Sequence, residues 1–147
     1  MDSLEYMTDE AACLSALADR IRPGGDLFLT LPACPALQSA HDDFVNSLRR
    51  YNKRHIREVL RQVPALETQT EHFFYASLFP VRLVQRLLPQ TVPPEKQTIN
   101  AWQYGEAHPL TKTAKTLLSA DYRVSAFLGR AKLDPPGLSL FIACRKK

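Results

Sequence analysis

Two apolar patterns alternate along this chain. Leu14, Leu17, Ala18 and Ile21 recur at i, i+3, i+4 and i+7, the spacing of one helical stripe able to cover one face of a sheet. Thr8 offers an N-cap hydroxyl ahead of it, and Asp9 and Glu10 place negative charge in the first turn, where the helix dipole favours it. Arg22-Pro23-Gly24-Gly25 then breaks the helix, because proline cannot continue it and glycine accepts the positive φ of a tight reversal. Leu27 to Leu31 follows as a short, nearly all-apolar run closed by Pro32. A run of that length between breakers predicts a strand buried on both faces.

The pattern repeats with variations. Asn52 can cap a second helix whose stripe is Ile56, Val59, Leu60 and Val63, with Pro64 at its end. Glu67 to Phe74 alternates poorly, and its Thr and Phe content alone favours a strand. Pro80 suits the first turn of a short helix through Leu88, and the proline-bearing stretch Gln90 to Gln97 reads as a loop. Pro109 can start a longer helix carrying Leu110, Ala114, Leu117, Leu118, Val124 and Leu128. Asp134-Pro135-Pro136-Gly137 predicts a turn, and Leu138 to Cys144 a last buried strand ending in Arg145-Lys146-Lys147. Helices between buried strands make this an α/β chain.

At 147 residues the length predicts one domain. Its 45% apolar and 23% charged residues are ordinary for a globular chain, and a formal charge of +4 permits contact with phosphates without demanding it. Cys13, Cys34 and Cys144 are too far apart for a zinc motif, so no metal is assigned, and a sparse, odd set predicts reduced thiols in a cytoplasmic protein. No stretch resembles a signal peptide or approaches a membrane span.

Candidate chemistry concentrates after the first strand. Ala33 to Tyr51 is rich in polar side chains and leaves the strand's carboxyl end, where ligands bind in open α/β sheets. His41 beside Asp42 is a candidate general base or substrate ligand, and equally a solvent-exposed loop pair. Arg49, Arg50, Lys53, Arg54, His55 and Arg57 form a basic run. It could hold an anionic substrate, since arginine forks match carboxylate and phosphate. It could also be a solvated helix face. Nucleic acid is the weaker reading, because Tyr51 is the run's only stacking partner. Phe73, Phe74, Tyr75, Leu78 and Phe79 read as core first and as the lid of an acceptor pocket second.

Taken in order, these pieces resemble the small-molecule branch of the class I S-adenosylmethionine-dependent methyltransferases. Asp2-Ser3-Leu4-Glu5-Tyr6 is similar to that family's Asp-x-Leu-Glu-His segment after the fourth strand, with Tyr6 in the place of the His. Ile21-Arg22-Pro23-Gly24-Gly25 resembles its turn before strand five. Leu31-Pro32-Ala33, Leu37, Ser39, His41, Asp42 and Arg49-Arg50-Tyr51 resemble a subfamily signature after that strand, with Ser47 where the subfamily has His. Pro136-Gly137-Leu138-Ser139-Leu140 resembles the start of the final strand.

The resemblance implies the C-terminal half of a Rossmann-like sheet, strands 5, 7 and 6 with strand 7 antiparallel, and a helical insertion over about 75–130 within a single partial domain spanning residues 1–147. It implies methyl transfer to a small-molecule acceptor, with S-adenosylmethionine as cofactor. Asp2, Ser3 and Leu4 would lie beside the cofactor, His41 and Asp42 would be catalytic, and Arg49, Arg50 and Tyr51 would bind substrate. The family's glycine-rich cofactor loop has no counterpart, because the glycines stand only at 24, 25, 105, 129 and 137. Strands one to four are missing, with Met1 where strand four would finish. The expectation is therefore a truncated enzyme. The alternative is a non-catalytic half-domain that binds a partner chain, or a second copy, through an open strand edge.

Overall fold

The computed structural model describes residues 3–87, 109–130 and 135–147. Helix α1 (Glu10–Arg20) leads through the Pro-Gly-Gly turn into strand β1 (Asp26–Pro32). Two short helices follow, α2 (Ala40–Phe44) and α3 (Lys53–Arg61), then strand β2 (Leu66–Phe74). Helices α4 (Phe79–Leu87) and α5 (Pro109–Arg130) come next, and β3 (Ser139–Lys146) is the last described strand. The expected loop over Gln90 to Gln97 lies outside the described residues.

The cap of α1 differs by one residue from expectation. Asp9, not Thr8, is the N-cap, and its side chain accepts from the Ala12 N–H at 2.9 Å. Asp9 stands three residues before that donor, the separation an N-cap needs. At the other end Gly24 has φ 77°, its N–H donates to Lys146 O at 2.9 Å, and the Lys146 N–H donates to Gly25 O at 2.9 Å. The turn thus both stops α1 and pins the end of β3.

The three strands form one antiparallel sheet in the order β1-β3-β2. Leu29 pairs with Ile142 and Leu31 with Leu140. Their common face is the core: Leu29, Leu31, Leu140, Ile142 and Cys144 are fully buried against Leu14 and Ala18 of α1 and Ile56, Val59 and Leu60 of α3. Among the described residues, no element closes the opposite face over β1. Phe28 is 54% exposed, with its ring 6.0 Å from that of Phe141. Strand β1 is therefore buried on one face rather than two. The described helix on the other side, α5, packs on β2, setting Tyr122 against His72 and Phe74.

Strand β2 explains its own poor alternation. The register of β2 against β3 shifts between Thr68 and Thr70. One extra residue inverts the side-chain phase. Leu66 and Thr68 share a face with Glu71 and Phe73 beyond the bulge, while His72 and Phe74 turn to the α5 side.

Gly137, just before β3, has a strict steric role. A Cβ there would lie 2.3 Å from the Phe74 carbonyl oxygen. Gly137→Ala must push the β2 and β3 backbones apart, and should cost about 1–3 kcal/mol in urea unfolding, the range for overpacking a closed site. An unchanged midpoint would show that the two strand ends can separate freely.

Candidate functional site

The segment after β1 is a loop closed at both ends. Ala33 forms a parallel bridge with Tyr51. The Tyr51 N–H donates to Pro32 O at 2.7 Å, and the Cys34 N–H donates to Tyr51 O at 2.9 Å. Cys34 takes φ 63° to make the exit from the strand, and Asn46 takes φ 56° within the loop. The Leu48 N–H donates to Glu5 O at 3.0 Å, which ties the loop to the helical turn Leu4–Tyr6.

Two buried carboxylates hold this loop. Asp42 stands in α2, three residues after Ser39, and accepts from the Ser39 N–H at 2.8 Å and the Ser39 hydroxyl at 2.9 Å. This is the reach of a capping box. The same carboxylate takes a two-pronged contact from Arg50, Nη2 to Oδ1 at 2.7 Å and Nε to Oδ2 at 3.1 Å. Arg50 Nη1 donates further to Ala33 O at 3.4 Å. Burial alone would raise the Asp42 carboxyl pKa, but the Arg50 and Ser39 contacts outweigh it and hold the group below its ordinary value.

The second carboxylate is Glu10, on the first turn of α1. Its Oε2 receives Arg49 Nη1 at 2.7 Å and lies 2.9 Å from His55 Nε2. Tyr51 is fully buried beside it, its ring 5.6 Å from that of His55. Glu10 Oε1 and the Tyr51 hydroxyl are both enclosed without a partner in hydrogen-bonding geometry. They are nevertheless close enough to perturb each other's protonation. Burial and then Glu10 push the Tyr51 phenol up. Against the opposing effect of burial, Tyr51, His55 and Arg49 hold the Glu10 carboxyl below its ordinary value.

The residues singled out from sequence therefore fall in different places. Asp2 lies outside the described residues. Ser3 is exposed, and Leu4 is fully buried in the core. His41 lies in α2 immediately before Asp42. Arg49, Arg50 and Tyr51 come together at the loop's return, with the two guanidinium groups turned onto Glu10 and Asp42. The rest of the basic run is also matched by acids: Lys53 and Arg57 with Glu71, Arg54 with Glu58, and His55 with Glu10. Lys53 Nζ also sits 5.2 Å from the Phe73 ring centroid.

Sequence reasoning missed Glu10 as a partner of this cluster, because 45 residues separate it from His55. It assigned Glu10 only to the helix dipole. Ser39 carried a readable signal, a serine three residues ahead of an acid. Among the described residues no group of three or more His, Cys, Asp or Glu side chains converges as a metal site, and no helix is long and apolar enough to cross a membrane.

Both carboxylates have depressed pKa values, so each stabilises the fold above its unfolded value and loses that contribution as pH falls through the lower folded one. The ordinary values are 4.5 for Glu10 and 3.8 for Asp42. Urea unfolding should show stability falling as pH drops below these values, with a shallower fall in Asp42→Asn. That substitution should also cost about 3 kcal/mol near neutral pH, because it leaves Arg50, only 12% exposed, without its counter-charge. A loss within error of zero would show that Arg50 finds another partner.

No protein-family model matches this chain, and no curated protein matches it. Among solved structures it is similar to phosphoethanolamine N-methyltransferase 2 of Haemonchus contortus, a structure in complex with S-adenosyl-L-methionine, with a TM-score of 0.42 and 14% identity. The similarity covers 99% of this chain, which spans 31% of that enzyme's chain.

Proposed function

We propose that this chain is the acceptor-side, C-terminal half of an S-adenosylmethionine-dependent methyltransferase acting on a small molecule. The observation that carries the reading is the sheet itself, ordered β1-β3-β2 with the last strand central and antiparallel to both neighbours. That order and those directions are the ones the sequence resemblance implies for strands 5, 7 and 6. The 33–51 loop, pinned at the carboxyl end of β1, supports the same reading by its position.

In this reading His41 is the group offered to the acceptor, as base or as ligand. Asp42, Arg50 and Arg49 act by position: their charged atoms are engaged within the protein, so they fix the loop on which His41 is carried. Tyr51 is a buried strut rather than a surface ligand. Methyl transfer requires a deprotonated acceptor aligned with the methyl group, and a rigid loop contributes to that alignment.

The described residues do not fit a complete cofactor site. Leu4, one of the three residues the resemblance sets beside the cofactor, has its side chain in the core. Gly24, the glycine with positive φ, lies in the turn before β1, at the opposite end of that strand from the 33–51 loop. No step is therefore assigned to the cofactor in this chain, and the cofactor side must come from another part of the polypeptide or from a partner.

The test is to sequence the encoding DNA upstream of Met1 and to express the extended chain if the frame is open. Transfer of labelled methyl to small-molecule acceptors should then appear, and His41→Ala should lower kcat/KM about 100-fold, the lower range for loss of a general base. An active enzyme indifferent to His41→Ala would overturn the site assignment. The present chain alone should give no calorimetric heat with S-adenosylmethionine, and saturable binding would contradict the half-site reading.

A second reading is favoured by the end position of β1 in the sheet and the exposed Phe28. Here the half-domain is non-catalytic and docks a chain that supplies the missing strands. Sedimentation should then show self-association of the isolated chain, and a compact, stable monomer would remove this alternative.

A further inference from the structure

We propose that α5 lies on an anionic lipid surface, with its outer apolar stripe in the headgroup boundary and its basic flank on the lipid phosphates. The inner side of α5 is committed to the sheet: Thr111 and Ser125 are buried, and Tyr122 meets His72 and Phe74 of β2. Its outer side is apolar. Leu117, Ala120, Val124 and Phe127 recur at i, i+3, i+7 and i+10, the spacing of one helical stripe, and all four are exposed. Leu117 is 59% exposed, Val124 55% and Phe127 70%, the highest value for a large apolar side chain among the described residues.

Charge identifies what covers this stripe. Lys112, Lys115 and Arg123 are exposed and fall on one flank of it. Asp121 is the one acid on α5, and its Oδ1 already accepts from the Ser77 N–H at 3.3 Å. Helix α4 has no acid and exposes Leu83 and Val84. Together α4 and α5 hold six Lys or Arg against that one Asp, while the formal charge of the whole chain is +4. The positive excess of the protein therefore resides on the same helices that expose apolar side chains. An open depression on α5 combines the two, lined by Lys115 and Arg123, Thr116 and Ser119, and Ala120 and Val124. Cations, hydroxyls and apolar groups around one hollow suit a phosphate headgroup with the start of its acyl chain.

Other occupants fit less well. A second copy of α5 would bring a basic flank against a basic flank with almost no acid to answer it. A protein groove that wraps a helix would meet the sheet on which α5 already rests, whereas a planar surface needs only the outer side. No described helix is long and apolar enough to cross a membrane, so the contact lies in the interface plane, the mode of amphipathic helices with Lys and Arg beside an apolar stripe. This inference stands whether or not the chain takes part in methyl transfer.

The test is flotation of the intact chain with vesicles of phosphatidylcholine containing phosphatidylserine, beside vesicles of phosphatidylcholine alone. The chain should float with the anionic vesicles, far less with the neutral ones, and release as salt rises. Arg123→Gln should lower the partition coefficient about fivefold, the effect of one cation near such a surface. Phe127→Ser should lower it about tenfold, the transfer of part of an aromatic side chain. Both side chains are exposed, so the variants should keep the circular dichroism of the parent. Arg22→Gln removes the same charge from the turn before β1 and should change partition little. No preference for anionic vesicles, or a preference that both α5 variants retain, would overturn the proposal. Saturable binding to polyglutamate without flotation would overturn it in favour of an acidic protein, and a dimer in sedimentation that Phe127→Ser dissociates, again without flotation, in favour of a second copy.

Discussion

The central place of β3 is the constraint on which the rest of this structure depends. Among the described residues, strands β1 and β2 form no ladder with each other, and each pairs with β3. The last element of the chain therefore completes both halves of the sheet. Until it docks, Leu29 and Leu31 have no Leu140 and Ile142 to pack beside, and the stripe of α1 has only part of its floor. The Gly24 and Gly25 contacts to Lys146 and the close passage of Gly137 over Phe74 are the two seams that fix where β3 enters and leaves. Contacts of such long sequence separation make folding slow rather than weak, because loop closure precedes the gain from burial.

Once that sheet exists, the loop beyond β1 is shaped by charge satisfaction rather than by apolar packing. Arg49 and Arg50 are adjacent in sequence and turn to different carboxylates, Glu10 on α1 and Asp42 in α2. Buried ion pairs contribute little net stability, because desolvation offsets most of the attraction. They do penalise any arrangement in which one partner is lost. The loop is held in one geometry for that reason, and the parallel bridge from Tyr51 to Ala33 sets its ends. The polar loop at the carboxyl end of β1 is thus fixed in place by its own ion pairs and by the bridge at its ends.

The basic run illustrates how a linear reading can mistake a solved electrostatic problem for a free surface. Six cations within residues 49–57 look like an anion-binding strip when written in a row. In the fold each is answered by an acid: Glu10, Asp42, Glu71 or Glu58. Three of those four acids come from other segments, and only the Arg54–Glu58 pair lies at helical spacing. The sequence distance between partners hid the compensation.

Local chemistry was enough to place α1, the Pro-Gly-Gly turn, β1, α3 and β3, because proline, glycine and apolar period act over a few residues. It also singled out the polar stretch from Ala33 to Tyr51 as a candidate site. It could not give the one-sided burial of β1, which depends on which helices pack over which face. Nor could it give the bulge in β2, where a single unpaired residue between Thr68 and Thr70 inverts the alternation that sequence reading relies on. The cap of α1 was misplaced by one residue because Thr8 and Asp9 are both competent caps and only backbone geometry chooses between them. The meeting of Glu10, Arg49, Tyr51 and His55 belongs wholly to the tertiary structure: it joins one helix, one loop and a second helix, and no period or spacing along a chain encodes a contact that exists only after those elements pack.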